Sequence, residues 1–204
     1  MRKANNRIKS SRLKKILFLL FAVAVNVAGG KLVEAFYVPL YMDSVLTIAV
    51  AAGCGPVFAV ACAVLTHVIL CLLDAAMLPF MSCHILTAIF AWLTFRHHRR
   101  AFPGEAISAE TFMWAGLWSA LSNAVLGNIL VGILFSFQPD WPNTAPPVQG
   151  LFIVTKNLTF ATYFSGTLTN LADKLLSAAM SWGAYRIVFA RKRWGGVDDR
   201  KYIS

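Results

Sequence analysis

The chain has 204 residues, 58% hydrophobic and only 14% charged, with a formal net charge of +10. Soluble domains run about 45–50% apolar and about 25% charged, so these proportions exclude a water-soluble core and indicate a membrane protein. The basic residues are bunched between apolar runs rather than spread over a face, which marks topology and anionic lipid contact and excludes nucleic acid as the expected partner.

Residues 1–15, "MRKANNRIKSSRLKK", form a basic N-terminal segment expected in the cytoplasm. The apolar run 16–30 follows. Its basic head and small residues near Ala28 resemble a secretory signal, but further apolar segments follow, so it reads as a retained first helix. Within it Ala24 and Ala28 stand four apart with Gly29 beside them. Small residues at that spacing let a second helix approach closely, so they are the expected docking face for a partner helix.

The run 40–73 is too long for one crossing of a core about 30 Å thick. Gly53, Gly55 and Pro56 break it, giving helices near 42–53 and 57–73. The first piece is short for a span. The segment before it, "EAFYVPLYM", is therefore expected to dip into the protein from the outer side, where irregular backbone needs protein or a water-filled cavity around it. Asp43 would sit at the wall of that cavity, or would cap the helix that follows.

The helix 57–73 carries His67 and Cys71, with Asp74 just beyond on the same face and Cys83 and His84 following. That spacing permits a soft divalent metal but matches no signature. The reading therefore assigns no metal and no cofactor, and takes His67 as a buried hydrogen-bonding or substrate-contacting group. The four cysteines form no CxxC pair and read as inert buried thiols.

Helices are expected over 81–95 and 111–137. Between the second of these and the last helix lies an outer loop, 138–150, with four prolines to stiffen it and Trp141 as a belt residue or part of a lid. The run 160–189 carries Thr159, Tyr163, Asn170, Asp173, Ser177 and Ser181 at helical spacing, with Gly166 as a notch on the same face. The stripe reads as packing glue or as a ligand-site wall. Asp173 and Lys174 are adjacent, so they point about 100° apart and are not expected to face each other.

Charge placement sets the span count. With six spans and both termini cytoplasmic, sixteen of the nineteen basic residues lie inside; with five spans, eight lie inside and ten outside. The positive-inside rule selects six. The expected architecture is a single all-α membrane domain: a bundle over 16–189 and a cytoplasmic tail over 190–204. No hydrolase elbow, zinc-protease motif or phosphate-binding loop is present, so no enzyme is expected in this chain.

The stretch "PLYMDSVLTIAVAAGCGPVFAVACAVLTHVI" resembles the second and third helices of substrate-binding S components of energy-coupling factor (ECF) transporters, matching at Pro39, Leu40, Asp43, Thr47, Gly55, Pro56 and Thr66. "NLADKLLSAAMSWGAYRI" is similar to that family's last helix at Asp173, Lys174 and Arg186, and "AVNVA" to its first-helix small-residue pair. The chain departs from the pattern at His67, where asparagine is usual, at Met42, and at Ala59, Ala61 and Ala63 in place of glycines. The resemblance implies a subunit in a prokaryotic plasma membrane. It would capture a vitamin or related micronutrient in an outward-facing pocket and dock on a membrane T component bearing two ATPase subunits. The expected ligand contacts are Tyr37, Tyr41, Asp43, His67, Trp141, Asn170, Asp173 and Lys174, with Phe36 as a further ring that could stack. The competing reading is a membrane sensor domain passing a ligand signal to a partner protein; it expects a cytoplasmic output domain, for which the chain leaves little room after Arg193.

Overall fold

The computed structural model describes residues 2–138, 141 and 143–190, with side chains described from residue 12 to 189. The basic tail beyond 190, Pro139 and Pro142 lie outside the described residues. The described chain is helical, without strands. In order come α1 (Arg2–Ala35), α2 (Thr47–Cys54), α3 (Pro56–Leu73), a 3₁₀ turn (Ala75–Phe80), α4 (Met81–Ala101), α5 (Ala109–Phe135), α6 (Ala145–Thr155) and α7 (Leu158–Tyr185). Four segments are long and apolar enough to cross a membrane: Arg12–Ala35, Pro56–Leu73, Ala75–Ala101 and Ala109–Phe135.

The break expected at Gly53–Pro56 falls at Gly55, whose φ of 95° lies where an L side chain is strained. Pro56 follows at the start of α3, where its missing N–H costs nothing. Arg99 of α4 donates to the Ala52 carbonyl and so satisfies one of the acceptors that the end of α2 leaves open.

α2 is shorter than the expected 42–53, and it is not a lipid-facing helix. Thr47, Ile48, Ala49, Val50, Ala51, Ala52 and Cys54 are all buried. A helix apolar on every side must be surrounded, and α2 packs against α1, α3, α4 and α7.

The outer loop is also corrected. Pro146 and Pro147 do not stiffen a loop; they stand in the first turn of α6, which runs on to Thr155. Proline's fixed φ suits a helix start. Lys156 ends α6 in the left-handed region, and Asn157 caps α7 by accepting from Phe160 N.

α5 and α7 share the most extensive interface. Gly116 permits it, because a Cβ there would lie 2.7 Å from the Lys174 carbonyl oxygen.

Candidate functional site

The segment between α1 and α2 dips into the protein as the apolar count required. Ser44, Val45 and Leu46 are buried before the helix begins. Tyr37 and Met42 take positive φ values of 55° and 49°. Such conformations persist only where the surroundings enforce them. At Met42 the enforcing group is Asp173, whose Oδ1 accepts from Tyr41 N at 3.1 Å and Met42 N at 2.6 Å. The Met42 carbonyl lies against Gly29, where a Cβ would come within 2.6 Å. Gly29 thus serves the chain's own loop, whereas Ala24 and Ala28 are exposed on the far side of α1.

Asp173 and Lys174 do face each other, contrary to the expectation from their adjacency. Lys174 Nζ lies 2.6 Å from Asp173 Oδ2, 2.7 Å from Ser44 Oγ and 3.2 Å from Asp43 Oδ1. The lysine stem is long enough to swing its ammonium back over the neighbouring carboxylate. Both side chains sit on the broad face that α7 turns toward the dipping segment. Two turns further along, Ser181 Oγ donates to Val45 O and accepts from Ala49 N. Asp43 is therefore an ion-pair partner and not a helix cap; α2 begins at Thr47, and Leu46 before it makes no side-chain cap.

The outer part of the α7 stripe is displaced from the expected line. Thr159 and Tyr163 are exposed, and the buried polar groups there are Thr162, Ser165 and Thr169. Gly166 is a notch as expected: the Asn128 amide fills it, and a Cβ would meet Asn128 Oδ1 at 2.1 Å.

A second polar chain joins helices distant in sequence. Asn26 of α1 accepts from Leu46 N and donates to Thr47 Oγ1, both at 2.9 Å. Thr47 Oγ1 lies 2.7 Å from His84 Nε2, and His84 Nδ1 lies 3.1 Å from His67 Nδ1. Cys71 and Asp74 do not join His67. Asp74 instead accepts from Ala76 N at 2.9 Å and from Trp141 Nε1 at 3.0 Å.

These groups surround a cavity of about 120 Å³. Tyr41, Asp43, His67, Trp141, Asn170 and Lys174, named from the sequence as ligand contacts, all line it. Asp173 stands behind the wall, holding the loop. Tyr37 is 69% exposed and lies outside the lining. Trp141 sits over the cavity in an aromatic group, 5.3 Å from Phe80 and 4.9 Å from Phe135 between ring centroids. Asn143 ties the same turn to the dipping segment by donating to Leu40 O at 2.8 Å.

Sequence reasoning passed over Asn123 and Asn128 as wall residues and named His84 only beside the metal-permitting spacing of His67. A signal for the two asparagines existed, since two amides inside an apolar run need polar neighbours. Asn123 is the most telling. Its Nδ2 donates to Thr87 Oγ1 at 2.9 Å, while its buried Oδ1 has no partner among the described residues. A buried acceptor left unmade is costly, so a ligand or water belongs there.

An engineered apolar cavity of about 150 Å³ takes a benzene molecule. The present cavity thus suits a ligand of one-ring size or a hydrated ion. It opens among the C-terminal part of α1, the 3₁₀ turn, the start of α4 and the first half of α7. The described basic clusters, at Arg12–Lys15 and Arg96–Arg100, lie toward the opposite ends of α1 and α4. No family model, curated protein or solved structure matches this chain.

Proposed function

We propose that this chain is the substrate-capture subunit of an ECF-type importer, taking a vitamin or related micronutrient into an outward-facing cavity and docking on a separate energising module. The observation that carries the reading is the cavity itself. It is walled by a re-entrant segment pinned through Asp43, Lys174 and Asp173, and it holds the unmet acceptor of Asn123. Residues of the resembling motifs that are far apart in sequence, Asp43, Thr47, Thr66, Asp173 and Lys174, support it by converging on this wall or the polar chain behind it.

In this reading six spans are completed by α7, which at 28 residues is long enough to cross, and by the short, buried α2 with its dipping approach. Both termini lie in the cytoplasm, the membrane is the inner membrane of a prokaryote, and the chain hydrolyses nothing itself. The partners are a membrane T component and two ATPase subunits. They engage α1 at Ala24 and Ala28, which are exposed while Ala22, Val23 and Asn26 face the chain's own core.

The test is affinity purification from native membranes, with components identified by mass spectrometry, of the wild type and of Ala28→Leu. The wild type should recover a T component and ATPases. The bulky leucine should reduce that recovery at least tenfold, because close helix approach depends on small side chains. A wild type recovered with a signalling protein and no ATPase, or an Ala28→Leu chain that recovers the full module, would sink this arrangement.

A further inference from the structure

We infer that the cavity holds a divalent first-row transition-metal ion, bound by the Asp43 carboxylate and the Nδ1 atoms of His67 and His84. This deepens the capture reading and rests on it for the ion's role as cargo. It departs from the sequence expectation of no metal, because the sequence does not show that His67 and His84 meet.

The geometry is that of a shared ion. Ligand atoms of Asp43, His67 and His84 lie within 4.8 Å of one another. The two Nδ1 atoms are 3.1 Å apart. Two nitrogens each about 2.0–2.1 Å from one ion, at a near-tetrahedral or right angle, stand roughly 2.8–3.4 Å apart. His84 has outer support of the kind ligating imidazoles need: its Nε2 lies 2.7 Å from Thr47 Oγ1, itself held by Asn26, and the tautomer that donates from Nε2 leaves Nδ1 free for the ion. The ion pair of Asp43 with Lys174 uses Oδ1, so Oδ2 is the oxygen offered.

Charge points the same way. Two carboxylates, the part-buried Asp43 on the wall and the fully buried Asp173 behind it, share one ammonium, Lys174. Lys31 and Glu34 at the rim cancel each other in a 2.6 Å pair. The wall therefore carries a net negative charge with neutral imidazoles, and an unpaired charge at this depth calls for a cation. Imidazole with one carboxylate suits zinc, nickel or cobalt over magnesium or calcium. The rest of the cavity takes the ion's waters, and the unmet Asn123 Oδ1 is an acceptor for one of them.

The experiment uses the full chain in detergent, purified by a histidine-free tag and stripped with chelator, with Co²⁺ as the probe. After desalting, the wild type should retain one cobalt per chain by elemental analysis and show visible ligand-field absorption. His67→Gln and His84→Gln should each weaken binding at least tenfold. His97→Gln, at the other end of α4, should bind as wild type, and melting curves establish which variants are folded. If a glutamine variant fails to fold, Asp43→Asn takes its place. No retained cobalt in the wild type, or equal retention in the folded site variants, would overturn the site. So would calorimetric binding of a one-ring organic cation without any cobalt. A cobalt-free chain that still recovers the ATPases would remove the metal and leave the importer. Cobalt binding by a chain that recovers no ATPase would do the reverse.

Discussion

Asp173 is the residue on which most of the cavity wall depends. It accepts two backbone N–H groups from a segment with no helical or sheet partner of its own, and it neutralises a lysine that is itself buried. Removing one member of a buried ion pair strands the other and typically costs about 3–5 kcal/mol. Asp173→Ala should therefore lower the melting temperature in detergent sharply and speed amide exchange at Tyr41 and Met42. A variant with wild-type melting and exchange would show that the dipping segment is held by other groups. The charge-conserving alternative, Asp173→Glu, moves the carboxylate by one methylene and should recover part of the loss. The sequence marked Asp173 as buried and polar, yet assigned it to the ligand. In the structure it holds the loop, accepting from Tyr41 N, Met42 N and Lys174, and it is not among the residues that line the cavity.

At the scale of elements, the fold turns on close approach. Gly116 lets α5 reach the backbone of α7, and Ala178 Cβ would be only 2.8 Å from an added Cβ. Gly116→Val must push two helices apart along their longest interface, an overpacking that costs about 1–3 kcal/mol. Gly150 on α6 has nothing within 4 Å of an added Cβ. Gly150→Ala should therefore leave melting unchanged or raise it slightly, since alanine is the better helix former. Thermal unfolding of both variants under one set of conditions checks the pair. Equal behaviour would mean that α5 and α7 have room to spare. The starts of α3, α4, α5 and α7 were legible to within two residues, and the Gly55 break was legible because glycine and proline act locally; α6 and the start of α2 were not. Nor was the burial of α2. An eight-residue apolar segment reads alike whether lipid or four other helices surround it.

For the whole molecule, the charge asymmetry is the testable quantity. The described basic clusters sit at one end of the bundle and the cavity toward the other. In the proposed topology, with positive residues retained inside, the cavity would face outward. Cysteines placed at the exposed Glu105 and Gln149, in a Cys71→Ser background, should report this. The reagent is an impermeant maleimide on intact cells. Gln149→Cys should label at once and Glu105→Cys only after permeabilisation. Labelling of Glu105→Cys from outside would invert the bundle and close the cavity to external ligand.

Composition alone determined that this chain is an apolar, helical protein, and local chemistry determined where α2 ends and α3 begins. Both follow from properties that each residue carries by itself: transfer cost, propensity and a fixed or permissive φ. Periodicity also marked His67 and Asn170, and the short second helix marked Asp43, because an apolar run tolerates a polar residue only on a face turned away from lipid. Only the tertiary structure decided which groups meet. His67 and His84 lie on different helices and come within 3.1 Å, Cys71 and Asp74 turn elsewhere, and Lys174 folds back on Asp173 to reach Asp43. Helical spacing records the face a side chain occupies and carries no information about what is packed opposite, so the pairing of charges had to wait for the packing of the helices.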